Sequence, residues 1–383
     1  MSHRKFREVY LFFSIATLFT IFLLLSRDLG GGYFDEVYYL RAGVDYVRGV
    51  CPAHSNPEHP PLAKYLIGIS ALVNPAVVPA LFGFLSAISL ALWMRKTWGS
   101  YLYSILTSVV LLSEVAYTKT FNYTLLDSVA VGFASTAIYM SILTSRPLVS
   151  GLLWGAALSS KLSTAYSFIG VLVFRVLERR FRDLLTEFAV ASSIYLATFI
   201  GDLICSSGGF ELLVSHLVFI PVYMLRVHGL SFYKAIQGLS VALLKIEFWS
   251  ARQPLTVTIN PDTLSNVTLG LGVIEGLEVR FYPWLSGFLL PSSISLLLYA
   301  LLKYRKLVRE VRGVVLVTLF TYVNVLHGAI FWYFTLPTYC VALLAGSILS
   351  RKTLTVFAIA NTLSIVVIYL LSLNYTVFFI LPK

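Results

Sequence analysis

Charged residues are scarce in this chain of 383 residues. Only 12% are Asp, Glu, Lys or Arg, whereas 58% are hydrophobic, and the mean hydropathy is +0.82. A water-soluble protein keeps a large wet surface, and this composition does not supply one, so a soluble globular protein is excluded. Apolar runs of about 20 residues, the length of a membrane-spanning helix, occur repeatedly. The sequence therefore predicts an all-α polytopic membrane protein.

Cysteine is also rare, and its pattern indicates no metal site. The three cysteines have no metal-ligand spacing. Cys51 and Cys205 fall on the same side of the predicted membrane, which allows a disulfide, but our interpretation is unpaired, buried thiols. His54, Glu58 and His59 match no zinc motif, and the prolines among them prevent a helical ligand face. We expect no metal and no cofactor.

Acidic residues are outnumbered, with 18 Asp and Glu against 29 Lys and Arg and a net charge of +11. More than half of the basic residues lie in short loops that alternate between apolar spans, which is the positive-inside pattern and not a nucleic-acid stripe. This predicts a multi-pass protein of the cell membrane with a cytoplasmic N-terminus. We find no cleavage site after the first span, so we expect it to be retained.

The predicted spans form one transmembrane domain over residues 1–383, with two long outer loops at 27–74 and 205–283. About eleven spans are expected, or thirteen if the apolar stretches 212–225 and 235–249 form a membrane hairpin instead of interfacial helices. The pair 148–160 and 164–177 is short enough for a broken hairpin. The predicted spans are 9–26, 75–94, 100–117, 123–143, 148–160, 164–177, 185–204, 284–302, 313–328, 331–349 and 353–373.

The first outer loop contains an amphipathic helix. Apolar residues recur at helical spacing from Val37 to Val47, beside a polar stripe, which predicts a helix lying along the outer membrane surface. Asp35 and Glu36 stand at its start. Acids at this position commonly cap a helix, so capping is the alternative to a role in catalysis.

The end of the same loop predicts a second helix start. Pro60 and Pro61 suit a first helical turn, which leaves the N–H groups of residues 62–64 available to an anion. Lys64 adds a positive charge there. The pattern is typical of a phosphate site, and a lysine that snorkels to the membrane surface is the alternative.

The order Phe34-Asp35-Glu36, surface helix, His59-Pro-Pro-Leu-Ala-Lys64 resembles the protein O-mannosyltransferase family of the GT-C glycosyltransferase superfamily. Bacterial lipid A aminoarabinose transferases are among its relatives. Weaker matches follow in order at 125–128, 151–161 and 333–337. The resemblance covers most of the chain, and only the first loop is specific.

The resemblance implies a membrane hexosyltransferase. Its donor would be a polyprenyl- or dolichyl-phosphate hexose, and we expect the hexose to be mannose. The acceptor would be a hydroxyl, either a Ser or Thr of a protein or a glycan or lipid, and the reaction would take place on the outer face with inversion. The lipid-linked donor, the acceptor and membrane lipid are the implied partners, and a dimer is left open.

The resemblance also implies roles for individual residues. The catalytic acids would be Asp35, as the base, and Glu36. The donor site would contain His59, Pro60, Pro61, Lys64, Lys161 and Lys119, with Asp127 and Glu58 in support. Lys119 stands in for an arginine that many relatives carry where Asn122 lies here.

Two alternatives remain at the level of the sequence. Asp127 and Lys161 can form a structural salt bridge instead of contacting substrate, since buried charges in membranes pair. A transporter or flippase of lipid-linked sugars is the rival function, although inverted repeats typical of transporters are not visible. For Glu114 and Asp202, at the outer ends of spans, we expect solvated loop ends.

Overall fold

The computed structural model describes residues 3–27, 34–227, 229, 231–244, 246–250, 277–281, 287–327 and 332–374. Within these residues the chain is almost entirely helical. The helices are α1 (His3–Arg27), α2 (Phe34–Val47), α3 (Leu62–Ala71), α4 (Val77–Trp98), α5 (Tyr101–Leu112), α6 (Val115–Thr120), α7 (Leu126–Ile138), α8 (Pro147–Ser160), α9 (Ala165–Leu177), α10 (Phe181–Ala197), α11 (Ile200–Ile204), α12 (Phe210–Val227), α13 (Phe232–Leu244), α14 (Leu289–Leu302), α15 (Arg309–Thr321), α16 (Trp332–Ile348) and α17 (Arg351–Asn374).

The helical, multi-pass architecture predicted from the composition is confirmed. In the described part of the chain, 6 helical segments are long and apolar enough to cross a membrane. Further apolar helices, among them α8, α9 and α14, are shorter. Helices suit a membrane because they satisfy their own backbone hydrogen bonds without water. The long segments are Glu8–Ser26, Val77–Trp98, Leu126–Thr144, Phe181–Ile204, Phe210–Val227 and Arg309–His327.

Helix α7 lies at the centre of the bundle and packs against α4, α8 and α16. Trp93, Met94 and Trp154 are fully buried around it. At the predicted cytoplasmic end, Arg175 of α9 is buried and donates to both carboxylate oxygens of Glu187 of α10, at 3.0 and 2.9 Å. A bidentate pair of this kind fixes the relative position of two helices.

The second outer loop differs in part from its prediction. The apolar stretch 235–249 is not one helix, because α13 ends at Leu244 and the chain continues as strand β1 (Ile246–Ser250). Strand β1 pairs in antiparallel fashion with β2 (Leu277–Phe281). β-branched and aromatic residues around Glu247 favour a strand over a membrane helix. Residues 251–276 of this loop lie outside the described residues.

Helices α2 and α3 cross at two glycines of the first outer loop. A Cβ atom on Gly68 would lie 2.0 Å from the carbonyl oxygen of Gly43, and one on Gly43 would lie 2.5 Å from the carbonyl oxygen of Lys64. No larger residue fits this backbone contact without a shift. The crossing therefore sets the position of Asp35 relative to the segment before α3.

Candidate active site

Asp35 and Glu36 both lie in the first turn of α2, and each is partly buried. The Glu36 carboxylate accepts a hydrogen bond from the Thr124 backbone N–H at 2.9 Å. Glu36 thus ties the surface helix to the segment that leads into α7. The glycine run 30–32 before this helix lies outside the described residues.

The surroundings of Asp35 raise the pKa of its carboxyl above the ordinary value. Burial raises the pKa of Asp35, the positive charge of Lys161 lowers it, and the negative charge of Glu58 raises it. The first outer loop and the junction between α8 and α9 are therefore close enough for their charges to interact. This arrangement provides a carboxylate and an ammonium at one location.

Lys161 lies between two short helices. The chain is extended at Lys161, where α8 ends, and a 3₁₀ turn over Leu162–Thr164 leads into α9. The Lys161 ammonium donates to the Asp127 carboxylate at 2.6 Å and lies 5.4 Å from the centre of the Tyr333 ring. The broken hairpin expected for 148–177 thus carries a buried ion pair at its tip.

Lys64 has a different environment from Lys161. It is fully buried, and its ammonium donates to the backbone carbonyls of Asn56 and His59. Helix α3 begins at Leu62, directly after the two prolines, as the sequence predicts. The side chain of Lys64 therefore holds the preceding loop in a tight turn.

The other predicted donor-site residues lie around this turn or on α6. The His59 ring meets the Tyr39 ring edge to face, with the centres 5.7 Å apart. Pro60 and Pro61 are buried beside it, whereas Glu58 is partly exposed. Lys119 is buried on α6. Asn122 donates to Ser26 at the end of α1, at 2.7 Å.

The start of the second outer loop anchors the first. Cys51 and Cys205 form a disulfide, so the expectation that they are unpaired thiols is wrong. The expectation of a solvated Asp202 is also wrong, because this side chain is fully buried and accepts from the Ala53 N–H at 2.7 Å. The fold brings Asp202 and Cys205 against the first outer loop. Their spacing along the sequence does not reveal this proximity.

His216 of α12 extends this anchor. One ring nitrogen lies 2.6 Å from the Asp202 carboxylate, and the other lies 3.0 Å from the Pro57 carbonyl oxygen. The carbonyl only accepts, so that nitrogen carries a hydrogen. The paired His216 and Asp202 therefore fix the position of Pro57, the residue next to Glu58. An ionisable residue inside an apolar run was the sequence signal for this role.

Glu114 is likewise not a solvated loop end. It is 1% exposed, and it accepts from the Leu289 N–H and from the Asn361 amide, each at 2.8 Å. The carboxylate therefore satisfies the first turn of α14, where free N–H groups and the helix dipole favour an acid.

An apolar cavity of about 440 Å³ lies between α9, α12 and the start of α16. Its polar lining includes Tyr166, His327 and Tyr333, and the Tyr166 hydroxyl lies 2.9 Å from a ring nitrogen of His327. The apolar lining comes from Leu162, Ala165, Pro221, Met224 and Leu225. Because Tyr333 also contacts Lys161, the cavity begins beside the buried ion pair.

Comparison with known proteins identifies the fold. No protein-family model matches the chain, and no curated protein matches it. The crystal structure of ArnT from Cupriavidus metallidurans bound to undecaprenyl phosphate is similar, with a TM-score of 0.55 and 15% sequence identity over 89% of this chain and 60% of that one. Its apo state gives 0.55 and 14%, over 91% and 61%.

The S. cerevisiae protein O-mannosyltransferase Pmt1–Pmt2 complex bound to its sugar donor matches over 56% of this chain and 32% of that one, with 20% identity and a TM-score of 0.34. A TM-score this low supports no conclusion about the fold or the function of this chain. The ArnT likeness shows that the chain has the GT-C fold. The chain spans about 60% of the length of ArnT.

Proposed function

We propose that this protein is a GT-C-type glycosyltransferase that moves a sugar from a polyprenyl-phosphate carrier to a hydroxyl acceptor. The observation that carries the proposal is the charge interaction of Asp35 with Lys161, whose ammonium pairs with Asp127 beside an apolar cavity. A lipid phosphate needs a cation and an apolar channel, and an acceptor hydroxyl needs a base. Lys161 would be the cation, the cavity would be the channel, and Asp35 would be the base.

In the proposed reaction, the acceptor oxygen attacks the anomeric carbon while the bond from that carbon to the phosphate oxygen breaks. The hydroxyl proton passes to the Asp35 carboxylate, and the bonding electrons leave with the polyprenyl phosphate. Lys161 stabilises the charge that develops on this phosphate. A single displacement inverts the anomeric centre, as in other one-step glycosyl transfers.

The lipid chain of the donor would occupy the apolar cavity between α9, α12 and α16. An ammonium can donate three hydrogen bonds, so the contact of Lys161 with Asp127 is compatible with a second contact to phosphate. The turn held by Lys64 and the ring of His59 would shape the donor pocket, with Glu58 in support. Glu36 would hold α2 in place through Thr124.

Several finer points belong to the proposal as well. The sugar would be a hexose, specifically mannose, and the acceptor a Ser or Thr of a protein. Transfer would take place on the extracytoplasmic face, with the N-terminus in the cytoplasm and without a metal or cofactor. The Cys51–Cys205 disulfide supports the extracytoplasmic location, since disulfides persist in oxidising compartments.

The proposal is tested with membranes that contain the full chain and radiolabelled polyprenyl-phosphate mannose. Asp35→Asn should lower transfer to acceptor by about 100-fold or more, the usual contribution of a general base. Glu211→Gln, at an exposed carboxylate in the first turn of α12, is the control and should transfer at the wild-type rate.

Equal transfer by Asp35→Asn and wild type would remove Asp35 from the mechanism. Movement of labelled lipid across the membrane without any glycosylated product would instead favour a flippase. The two outcomes are separated by extracting the lipid fraction and the acceptor fraction independently.

A further inference from the structure

A small niche lies next to the Lys161–Asp127 pair. Its lining is mixed, with the polar residues Asp127, Ser163, Thr164, Asn324 and Tyr333 beside the apolar residues Ala130, Val131 and Leu336. Its volume is about 10 Å³, which is room for one group the size of a water or a hydroxyl. The niche can therefore hold one substituent of a ligand but not a sugar ring.

Asn324, one of the residues that line the niche, has an unsatisfied acceptor. Its side chain is 3% exposed, and within the described part of the chain its Oδ1 atom has no hydrogen-bond partner. A buried polar atom without a partner is destabilising by about 1–3 kcal/mol, so such an atom calls for an explanation. Asn324 lies in the 3₁₀ turn Tyr322–His327, where α15 loses its regular form, and such breaks often occur at functional sites.

The niche and the apolar cavity are neighbours. Ser163 and Tyr333 line both of them, so a lipid in the cavity would have its head group near the niche. Two groups of the residues that line the niche, the Asp127 carboxylate and the Asn324 carbonyl oxygen, are hydrogen-bond acceptors. A ligand group that satisfies the unpartnered Asn324 oxygen must therefore be a hydrogen-bond donor.

We propose that the Oδ1 atom of Asn324 accepts a hydrogen bond from one hydroxyl group of the donor sugar. The inference rests on the proposed function and deepens it, because it makes Asn324 a residue that distinguishes the glycosylated carrier from the bare carrier. A site built around one hydroxyl strongly rejects an analogue that lacks it, since the buried acceptor is then left without a partner.

The test compares two lipids with the purified full-length protein in lipid nanodiscs. Wild type should bind polyprenyl-phosphate mannose and bare polyprenyl phosphate. Asn324→Leu, which keeps the size but removes the acceptor, should weaken binding of the mannosylated lipid about tenfold, the effect of one buried hydrogen bond. The affinity for the bare lipid should change much less. Asn74→Leu, at an exposed asparagine outside the cavity, is the matched control.

A series of deoxy-mannose donors identifies the hydroxyl. One deoxy analogue should bind to wild type about tenfold more weakly than the complete mannose donor does. The same analogue should bind to Asn324→Leu as tightly as it binds to wild type, because the two changes remove one and the same interaction. The wild-type half of this series stays informative even if the variant does not fold.

Three outcomes would overturn the inference. In the first, Asn324→Leu weakens the binding of both lipids equally. In the second, wild type binds all deoxy donors with equal affinity. In the third, the losses of affinity caused by Asn324→Leu and by the deoxy donor add, which would mean that Asn324 holds an ordered water only. Failure of wild type to bind either lipid would reject the proposed function itself, and is thereby distinguished from these results.

Discussion

The Lys161–Asp127 pair is a buried pair of opposite charges at the candidate site, with side chains 4% and 7% exposed. Removing one partner leaves the other charge buried and alone. Removing both charges avoids that penalty. Stability and activity should therefore respond differently to single and double substitutions at these positions.

Lys161→Met should lower the free energy of unfolding by about 3–5 kcal/mol, because it leaves Asp127 unpaired. The double variant Lys161→Met with Asp127→Leu should recover most of this loss but should still fail to transfer sugar. Thermal melting in detergent and the membrane transfer assay measure the two effects. Lys96→Met, at an exposed lysine whose ammonium donates to the Leu143 carbonyl, should change neither. Recovery of transfer in the double variant would show that Lys161 has a structural role alone.

Glu58 should set part of the pH dependence. Its negative charge raises the pKa of Asp35, so Glu58→Gln should lower that pKa. A base acts in its ionised form, and the acid limb of kcat/KM should therefore move to lower pH. The measurement is a pH profile of transfer for both proteins. A shift to higher pH, or no shift, would contradict the electrostatic coupling of Glu58 with Asp35.

The sequence was informative about residue types at the site and less informative about their contacts. The motif residues Asp35, Glu58 and His59 do lie near one another, since they share one loop. The salt bridge between Asp127 and Lys161 that the sequence suggested as an alternative is present in the structure. The burial of Lys64 against two backbone carbonyls was not predictable, because the turn that it closes depends on the fold of the loop.

At the scale of elements, the crossing of α2 and α3 positions the first outer loop. Gly68→Ala would place a methyl group 2.0 Å from the Gly43 carbonyl oxygen, and the helices must separate. We expect a loss of about 1–3 kcal/mol in stability, as for other overpacked contacts, together with reduced transfer. Ile69→Ala on the exposed side of the same helix is the control. Unchanged melting and transfer in Gly68→Ala would contradict the close crossing.

Apolar runs predicted the helices to within a few residues, since the span expected at 331–349 is α16, Trp332–Ile348, and the span expected at 75–94 is α4, Val77–Trp98. Helix α4 ends at Gly99, which has a positive φ of 65°, and α5 begins after Ser100, whose hydroxyl accepts from the Tyr103 N–H. These are local signals that a sequence displays. The anchor formed by Asp202, His216 and the disulfide joins residues about 150 positions apart, and no local pattern encodes it.

At the scale of the whole molecule, the orientation in the membrane remains a prediction from the distribution of basic residues. Val73, between α3 and α4, is 89% exposed, and Ser350, between α16 and α17, is exposed at the opposite end of α16 from the site. Val73→Cys should react with a membrane-impermeant thiol reagent in intact cells, whereas Ser350→Cys should react only after permeabilisation. The native Cys340 is buried and gives a low background. The reverse labelling pattern would invert the topology.

The proposed glycosyltransferase activity requires that Lys161 holds a lipid phosphate within reach of Asp35. The most direct measurement is a cryo-electron microscopy structure of the full chain in nanodiscs with polyprenyl phosphate. We predict phosphate oxygens within about 3 Å of the Lys161 ammonium, with the prenyl chain between α9, α12 and α16. A phosphate bound elsewhere, or one separated from Asp35 by packed protein, would contradict the proposed enzyme.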